Sequence, residues 1–290
     1  MRETAPIGAR ASARAYVRLL LVVILATCAL AQEKPARIIS LVPGATEILF
    51  AIGAGPRVVA VSSYDKEPSE VTSLPRVGAL IDPDVERILS LKPDLIVVYG
   101  SQHDLAQQMG RAGIPHFSYV HGGLPDIFKT IRELAARTGD SDQGERVVKG
   151  IESTLADVAK RVAGRPRPQT MIVFGLEPGS LRNVYASGGY GFLHDVLAIA
   201  GGEDVFSDVK RESVQASTEL ILTRAPEVII ELRADDESAP DPAAWQTLAS
   251  VPAVRNNRIV LLTGSDMVTA GPRIGQATVR LAKALHPEAF

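Results

Sequence analysis

Apolar residues along this chain follow two alternating rhythms. Short unbroken apolar runs lead into stretches whose apolar positions lie three and four apart, as when buried strands feed helices. The runs at 37–42, 58–61, 95–99 and 116–120 predict strands, and the intervening 45–52, 84–91, 104–111 and 124–138 predict helices. Pro43-Gly44 and Asp82-Pro83 mark two helix starts, and Gly53 marks a stop. From Ser141 to Ala163 the alternation is suspended. There Val147, Val148, Ile151, Leu155, Val158, Ala159 and Val162 recur at helical spacing, and no strand follows until Thr170. A helix of that length spans ~35 Å at ~1.5 Å per residue, and Gly164-Arg165-Pro166-Arg167-Pro168 ends it. Strands at 171–176, 228–232 and 259–263 then alternate with helices at 191–199, 219–223, 245–250 and 275–285. The pattern predicts an α/β protein: two lobes with mostly parallel sheets, 37–140 and 168–290, joined by one long rigid α-helix at 141–164.

The first 31 residues stand apart. Arg2, Arg10, Arg14 and Arg18 precede an apolar run from Leu19 to Ala31, broken only by Thr27. That run is short for a bilayer span, which takes ~20 residues. Ala29-Leu30-Ala31 supplies a small-x-small cleavage site, so residues 1–31 read as a secretory signal peptide and the chain as exported. A membrane anchor is the alternative. The single cysteine, Cys28, lies inside this leader. It also permits a lipoprotein reading, although Thr27 fits poorly before a lipidated cysteine. A chain starting at Gln32 has no disulfide and must stand on its core alone.

Composition narrows the function. With 46% hydrophobic residues and no long run of one charge sign, the chain is not disordered. Its net charge of −2 falls further without the arginine-rich leader, and no basic stripe is interleaved with aromatics, which argues against nucleic acid.

One motif occurs twice. Glu86-Arg87-Ile88-Leu89-Ser90-Leu91-Lys92-Pro93-Asp94 leads into the strand at 95–99, and Glu219-Leu220-Ile221-Leu222-Thr223-Arg224-Ala225-Pro226-Glu227 leads into the strand at 228–232. Folding explains the proline and the apolar run: a helix stops and a buried strand begins. Glu86 and Glu219 each sit in a first helical turn, where a carboxylate meets the helix dipole favourably. They also form a symmetric pair, one carboxylate per lobe, suited to two copies of one basic partner. A two-lobed monomer would thus dock on a two-fold symmetric membrane dimer.

At this point the chain resembles the periplasmic binding proteins of cobalamin, haem and ferric-siderophore ABC importers, those with a helical backbone between two Rossmann-like lobes. It is most similar to the cobalamin-binding members. The resemblance rests on Ile39-Ser40-Leu41-Val42-Pro43 with Ala45-Thr46-Glu47-Ile48, Val61-Ser62-Ser63-Tyr64, both glutamate motifs, Ser187-Gly188-Gly189, Ala200-Gly201-Gly202 and Gly271-Pro272-Arg273. It implies that Glu86 and Glu219 pair with arginines of the permease dimer. It also implies a ligand held between the lobes at the C-terminal ends of the strands. Pro43, Tyr64, Tyr99, Phe174 and Tyr185 stand at such ends, where rings can cover a broad apolar macrocycle. Asp266 matches a family acid at the ligand's polar edge. The implied cargo is cobalamin or another metal-tetrapyrrole or chelate, with no resident cofactor and no catalytic residue. Haem and ferric siderophores stay open as ligands.

The departures concern the ligand. Tryptophans used by cobalamin binders are missing: Val77 and Ser213 stand near two such positions, and Tyr99 replaces a third. Trp245, the only tryptophan, falls in a surface-like helix, and the family's disulfide is absent. The histidines, His103, His116, His121, His194 and His286, form no metal-ligand spacing. Among them His103, after the strand at 95–99, is the best placed to face the cleft, and an ordinary loop residue is the leading reading of it. A secreted α/β enzyme is the competing class. Gly188-Gly189-Tyr190-Gly191 could open a phosphate-binding helix, and His194 neighbours Asp195. The chain nevertheless lacks the G-x-G-x-x-G order, the Walker lysine and the G-x-S-x-G elbow.

Overall fold

The computed structural model describes residues 34–177, 179–234 and 242–290. The leader, Cys28 and the expected cleavage site lie outside the described residues. Pro35–Phe290 forms one compact unit. Among the described residues no helix is long and apolar enough to cross a membrane.

The N-terminal lobe contains β1 (Ile38–Ser40), α1 (Pro43–Ala51), β2 (Val58–Val61), α2 (Val85–Ser90), β3 (Leu95–Tyr99), α3 (His103–Arg111), β4 (His116–Tyr119) and α4 (Leu124–Thr138). Its strands pair in the order β2-β1-β3-β4, all parallel. Gly139, at φ 74, ends α4 in the left-handed region that glycine tolerates without strain. The long helix α5 (Ser141–Val162, 22 residues) follows at once. It turns Gly144, Val148, Ile151, Leu155, Val158 and Val162 inward, whereas Ala159 of the predicted stripe is exposed.

The second lobe contains β5 (Gln169–Gly175), β6 (Tyr185–Ser187), α6 (Phe192–Ile199), β7 (Glu203–Asp204), β8 (Ser213–Gln215), α7 (Thr218–Arg224), β9 (Val228–Arg233), α8 (Pro242–Trp245), α9 (Pro252–Arg255), β10 (Ile259–Thr263) and α10 (Ile274–Leu285). The strand order is β10-β9-β5-β6-β8, with β7 beside the start of β5. The β10, β9 and β5 strands are parallel, as expected, but β6 and β8 run antiparallel. The sequence pattern misses those two because each spans three residues, too short to show a period.

Strand residues alternate between two cores. Ile38, Leu95, Val97, Ile172, Val228 and Ile230 face one continuous core shared with α4, α5 and α10 across both lobes. Ile39, Ile96 and Val98 face an outer core that includes Ile88 of α2. On the second lobe Met171, Val173 and Ile229 face the equivalent outer core, with Ile221 of α7. Trp245 corrects the sequence expectation. It is fully buried in that outer core, and its indole N–H donates to the Glu231 carboxylate, itself 3% exposed. Helix α8 is a single turn, so its polar neighbours mask the one face that is covered.

Among the described residues, polar and close-packed contacts tie the lobes directly. Arg273, the N-cap residue of α10, donates to both oxygens of Glu47 on α1, at 2.8 and 2.7 Å, and also to Ser265 Oγ. Asp195 of α6 accepts the Leu124 N–H at 2.8 Å, capping the start of α4 from the other lobe. Gly44 approaches so closely that a Cβ there would lie 2.5 Å from the Ala270 carbonyl oxygen.

Candidate functional site

The strand ends build a cleft. Its cavity, about 400 Å³ and open to solvent, lies within the size range of small-ligand pockets. Phe174 ends β5, Ser213 opens β8, Ala234 follows β9 and Val268 follows β10. Tyr190, Gly191, Phe192 and Leu193 lead into α6, and Glu212 precedes β8. The first lobe contributes His121, two residues past β4.

The glycine run has a packing role here. A Cβ on Gly188 or Gly189 would fall 2.2 Å from Arg211 O or 2.1 Å from Ser207 O. Gly191 has φ 91, and its position against Glu212 closes the turn. These glycines let the 207–212 loop press on the backbone, and they carry Tyr190 to the cavity wall. His194 and Asp195 point to different partners: His194 Nδ1 lies 3.1 Å from Asp204 Oδ2, whereas Asp195 caps α4.

His121 sits on an aromatic buttress. Its ring stacks on Tyr99 with centroids 6.4 Å apart and meets Tyr119 edge-on at 5.2 Å, and the two tyrosines contact each other at 86°. Burial, then the Asp65 charge, pushes the Tyr99 phenol up from its usual range. Burial pushes Tyr119 up further, helped by Tyr99, Glu212 and Asp126. Both phenols therefore stay protonated at neutral pH.

The other residues predicted from sequence occupy the same edge but not the same wall. Pro43 is half-buried at the first turn of α1. Tyr64 is 73% exposed on a braced turn. Asp65 Oδ2 accepts the Ser62 N–H at 2.9 Å and the Ser62 hydroxyl, and Arg76 donates to the carbonyls of Ser62 and Asp65 at 2.9 and 2.8 Å. Asp65 is 2% exposed with its Oδ1 unpartnered among the described residues, and burial raises its pKa above the ordinary value, the Ser62 hydrogen bonds opposing. Tyr185 pairs with Gly175 across an irregular β5–β6 register, lies against it, and does not line the cavity that Phe174 lines. Asp266 is occupied by Arg280, which donates to both its oxygens at 2.8 and 3.0 Å. Val77 is fully buried in the outer core of the first lobe, while Ser213 does line the cavity. His103 lies in a separate groove with Leu80 and Ile81, because it opens α3 after the Gly100–Gln102 turn. His121, Tyr190, Phe192 and Glu212 are among the cavity residues that sequence reasoning missed.

The duplicated motif is reproduced in detail. Asp84 and Ser217 cap α2 and α7, accepting the N–H of Arg87 at 2.9 Å and of Leu220 at 3.2 Å. Lys92 and Ala225, each just before the proline, share left-handed φ values of 49 and 46. The acid after the proline has a task in both lobes. Asp94 accepts the Arg37 N–H at 2.9 Å, and Glu227 accepts the Gln169 N–H at 2.9 Å, each clamping the start of the neighbouring strand. Ile88 and Ile221 are fully buried. Outward on both helices are Glu86 with Leu89 and Glu219 with Leu222, the leucines 41% and 42% exposed. Each pair lies three residues apart, on one helix face. The N-terminal backbone and Ser217 hold the Glu219 carboxyl below its usual range.

One parallel-sheet lobe and one mixed-sheet lobe around an aromatic cleft, with a matched acidic face on each, define a small-molecule binding protein. The chain belongs to the periplasmic binding protein family, whose model matches residues 38–265. A curated relative, the vitamin B12-binding protein of Pectobacterium atrosepticum, is 31% identical over 79% of this chain and 83% of its own length. The vitamin B12-binding protein of Yersinia pseudotuberculosis serotype O:1b is 30% identical over 83% of this chain and 85% of its own. Among solved structures, the periplasmic vitamin B12-binding protein BtuF of Vibrio cholerae superposes with TM-score 0.75 at 26% identity, covering 88% of this chain and 98% of that one. The apo haem-binding protein RhuT of Roseiflexus sp. RS-1 gives 0.74 at 28% identity, covering 88% and 99%.

Proposed function

We propose that this protein captures a corrinoid, cobalamin in kind, between its lobes and delivers it to the two-fold symmetric permease of an ABC importer. The observation that carries the reading is the cavity at the strand ends, walled by Phe174, Tyr190 and Phe192. Apolar rings suit the broad face of a macrocycle, and Tyr64 stands on the same edge as a further, outlying ring. The vitamin B12-binding relatives support the same ligand class. Haem is the second reading, favoured by the His121 imidazole at the cavity and by the likeness to RhuT. On this reading the leader at 1–31 directs export to the periplasm, the protein acts there as a monomer, and lipidation at Cys28 is the alternative mode of retention. The paired faces, Glu86 with Leu89 and Glu219 with Leu222, meet arginines and adjoining apolar surface on the two permease subunits.

The test is stoichiometric capture without turnover. Purified protein is loaded with cobalamin, desalted and denatured, and the released molecule is weighed. One unchanged cobalamin per chain is expected. Failure to retain cobalamin, or release of an altered corrinoid, would refute the reading.

A further inference from the structure

We propose that His121 is an axial ligand to the cobalt of the bound corrinoid, an inference that rests on the corrinoid reading above. His121 is exposed at the cavity, and its ring nitrogens make no hydrogen bond among the described residues. An imidazole so placed has a lone pair available and is oriented by Tyr99 and Tyr119 through ring contacts alone. A bare metal ion needs several protein donors, and among the described residues no group of three or more His, Cys, Asp or Glu could hold one. A lone nitrogen donor beside apolar walls suits a metal whose equatorial positions are already filled by a macrocycle, leaving only an axial position to take. A fully chelated ferric siderophore offers no such position. Imidazole nitrogen is a good ligand for late first-row metals.

The step is a ligand exchange. An imidazole nitrogen of His121 donates its lone pair to cobalt(III), the water bound at that position departs, and no oxidation state changes. A corrinoid with water at the exchangeable position allows this exchange, and one carrying cyanide there resists it. The wild-type protein therefore discriminates between aquocobalamin and cyanocobalamin.

The experiment titrates the full chain with each form, following the visible absorption of the corrin, for wild type, His121→Phe and His121→Gln. The phenylalanine variant keeps a ring against Tyr99 and Tyr119, and Trp245 fluorescence checks that each variant is folded. The expected result has three parts. Wild type shifts the absorption bands of aquocobalamin. It prefers aquocobalamin over cyanocobalamin by about tenfold or more, equivalent to ~1.4 kcal/mol. Both variants bind the two forms nearly equally, with unshifted bands. Wild type binding aquocobalamin with unshifted bands and no preference would overturn the His121 assignment while leaving corrinoid capture intact. Binding of neither form by wild type would overturn both.

Discussion

Replacing Arg273 by alanine removes the cation from an ion pair that joins the two lobes. Glu47 is 7% exposed and sits on α1 of the first lobe, and its guanidinium partner comes from the far end of the chain, 226 residues away. Burial pushes the Glu47 carboxyl up from its ordinary value near 4.5, and the hydrogen bond and charge of Arg273 pull it part of the way back. Without Arg273 a buried carboxylate is left unpaired. Breaking a buried pair from one side costs ~3–5 kcal/mol. The lower end, about 3 kcal/mol, applies here because the Arg273 side chain is 29% exposed and water can enter its place. The sign of the pH dependence follows from the raised carboxyl. A native-state value above the unfolded one means that the folded protein holds the proton more tightly, so stability falls as pH rises from near 4.5 through the raised value. In Arg273→Ala that fall is steeper and extends higher. Urea unfolding followed by Trp245 fluorescence at pH 5 and pH 8 reads both effects. The loss is expected to be largest at pH 8, and a double Glu47→Leu, Arg273→Leu variant should recover much of it. A loss below about 1 kcal/mol, or one equal at both pH values, would refute the reasoning.

Three further outcomes follow from the same geometry. The Glu86→Ala, Glu219→Ala double variant is expected to keep wild-type ligand affinity by calorimetry while uptake through the permease falls about tenfold or more, since each lost charged hydrogen bond is worth ~1.5–3 kcal/mol; Leu89→Ala with Leu222→Ala should give a smaller loss, and normal transport in both would remove the docking assignment. Gly44→Ala places a methyl 2.5 Å from the Ala270 carbonyl oxygen, so the lobes must part slightly, and thermal unfolding should register a loss of ~1–3 kcal/mol; an unchanged midpoint contradicts the close approach. Trp245→Phe leaves the buried Glu231 carboxylate short of a donor and should cost ~1–3 kcal/mol by circular dichroism melts, whereas a truly surface tryptophan would cost almost nothing.

The alternation of apolar runs and helical stripes was enough to place β1 to β5, β9 and β10, because buried parallel strands are continuous apolar segments. Helix α4 falls at its predicted bounds, Leu124–Thr138, with Gly139 as its stop. The short antiparallel strands β6 and β8 were not legible, since three residues carry no period. Trp245 was misplaced because a one-turn helix shows no face in sequence. In the cleft, Phe174 was visible as an aromatic at a strand end. His121, Tyr190 and Glu212 were hidden because their positions depend on where loops fold after the strands. The Gly188-Gly189 pair held the available signal: such close backbone packing marks a loop fixed against another, and Tyr190 follows directly. The duplicated motif was readable down to its two glutamates. Its acids after proline acquired a structural role only when the neighbouring strand starts were placed beside them.

The most direct test of the account is calorimetric titration of the mature protein with cobalamin, haemin and a ferric siderophore under one set of conditions. Corrinoid capture predicts one saturable cobalamin site at sub-micromolar concentration, with haemin and the siderophore weaker by about tenfold or more. No heat with cobalamin at micromolar levels, together with saturable binding of haemin, would contradict it.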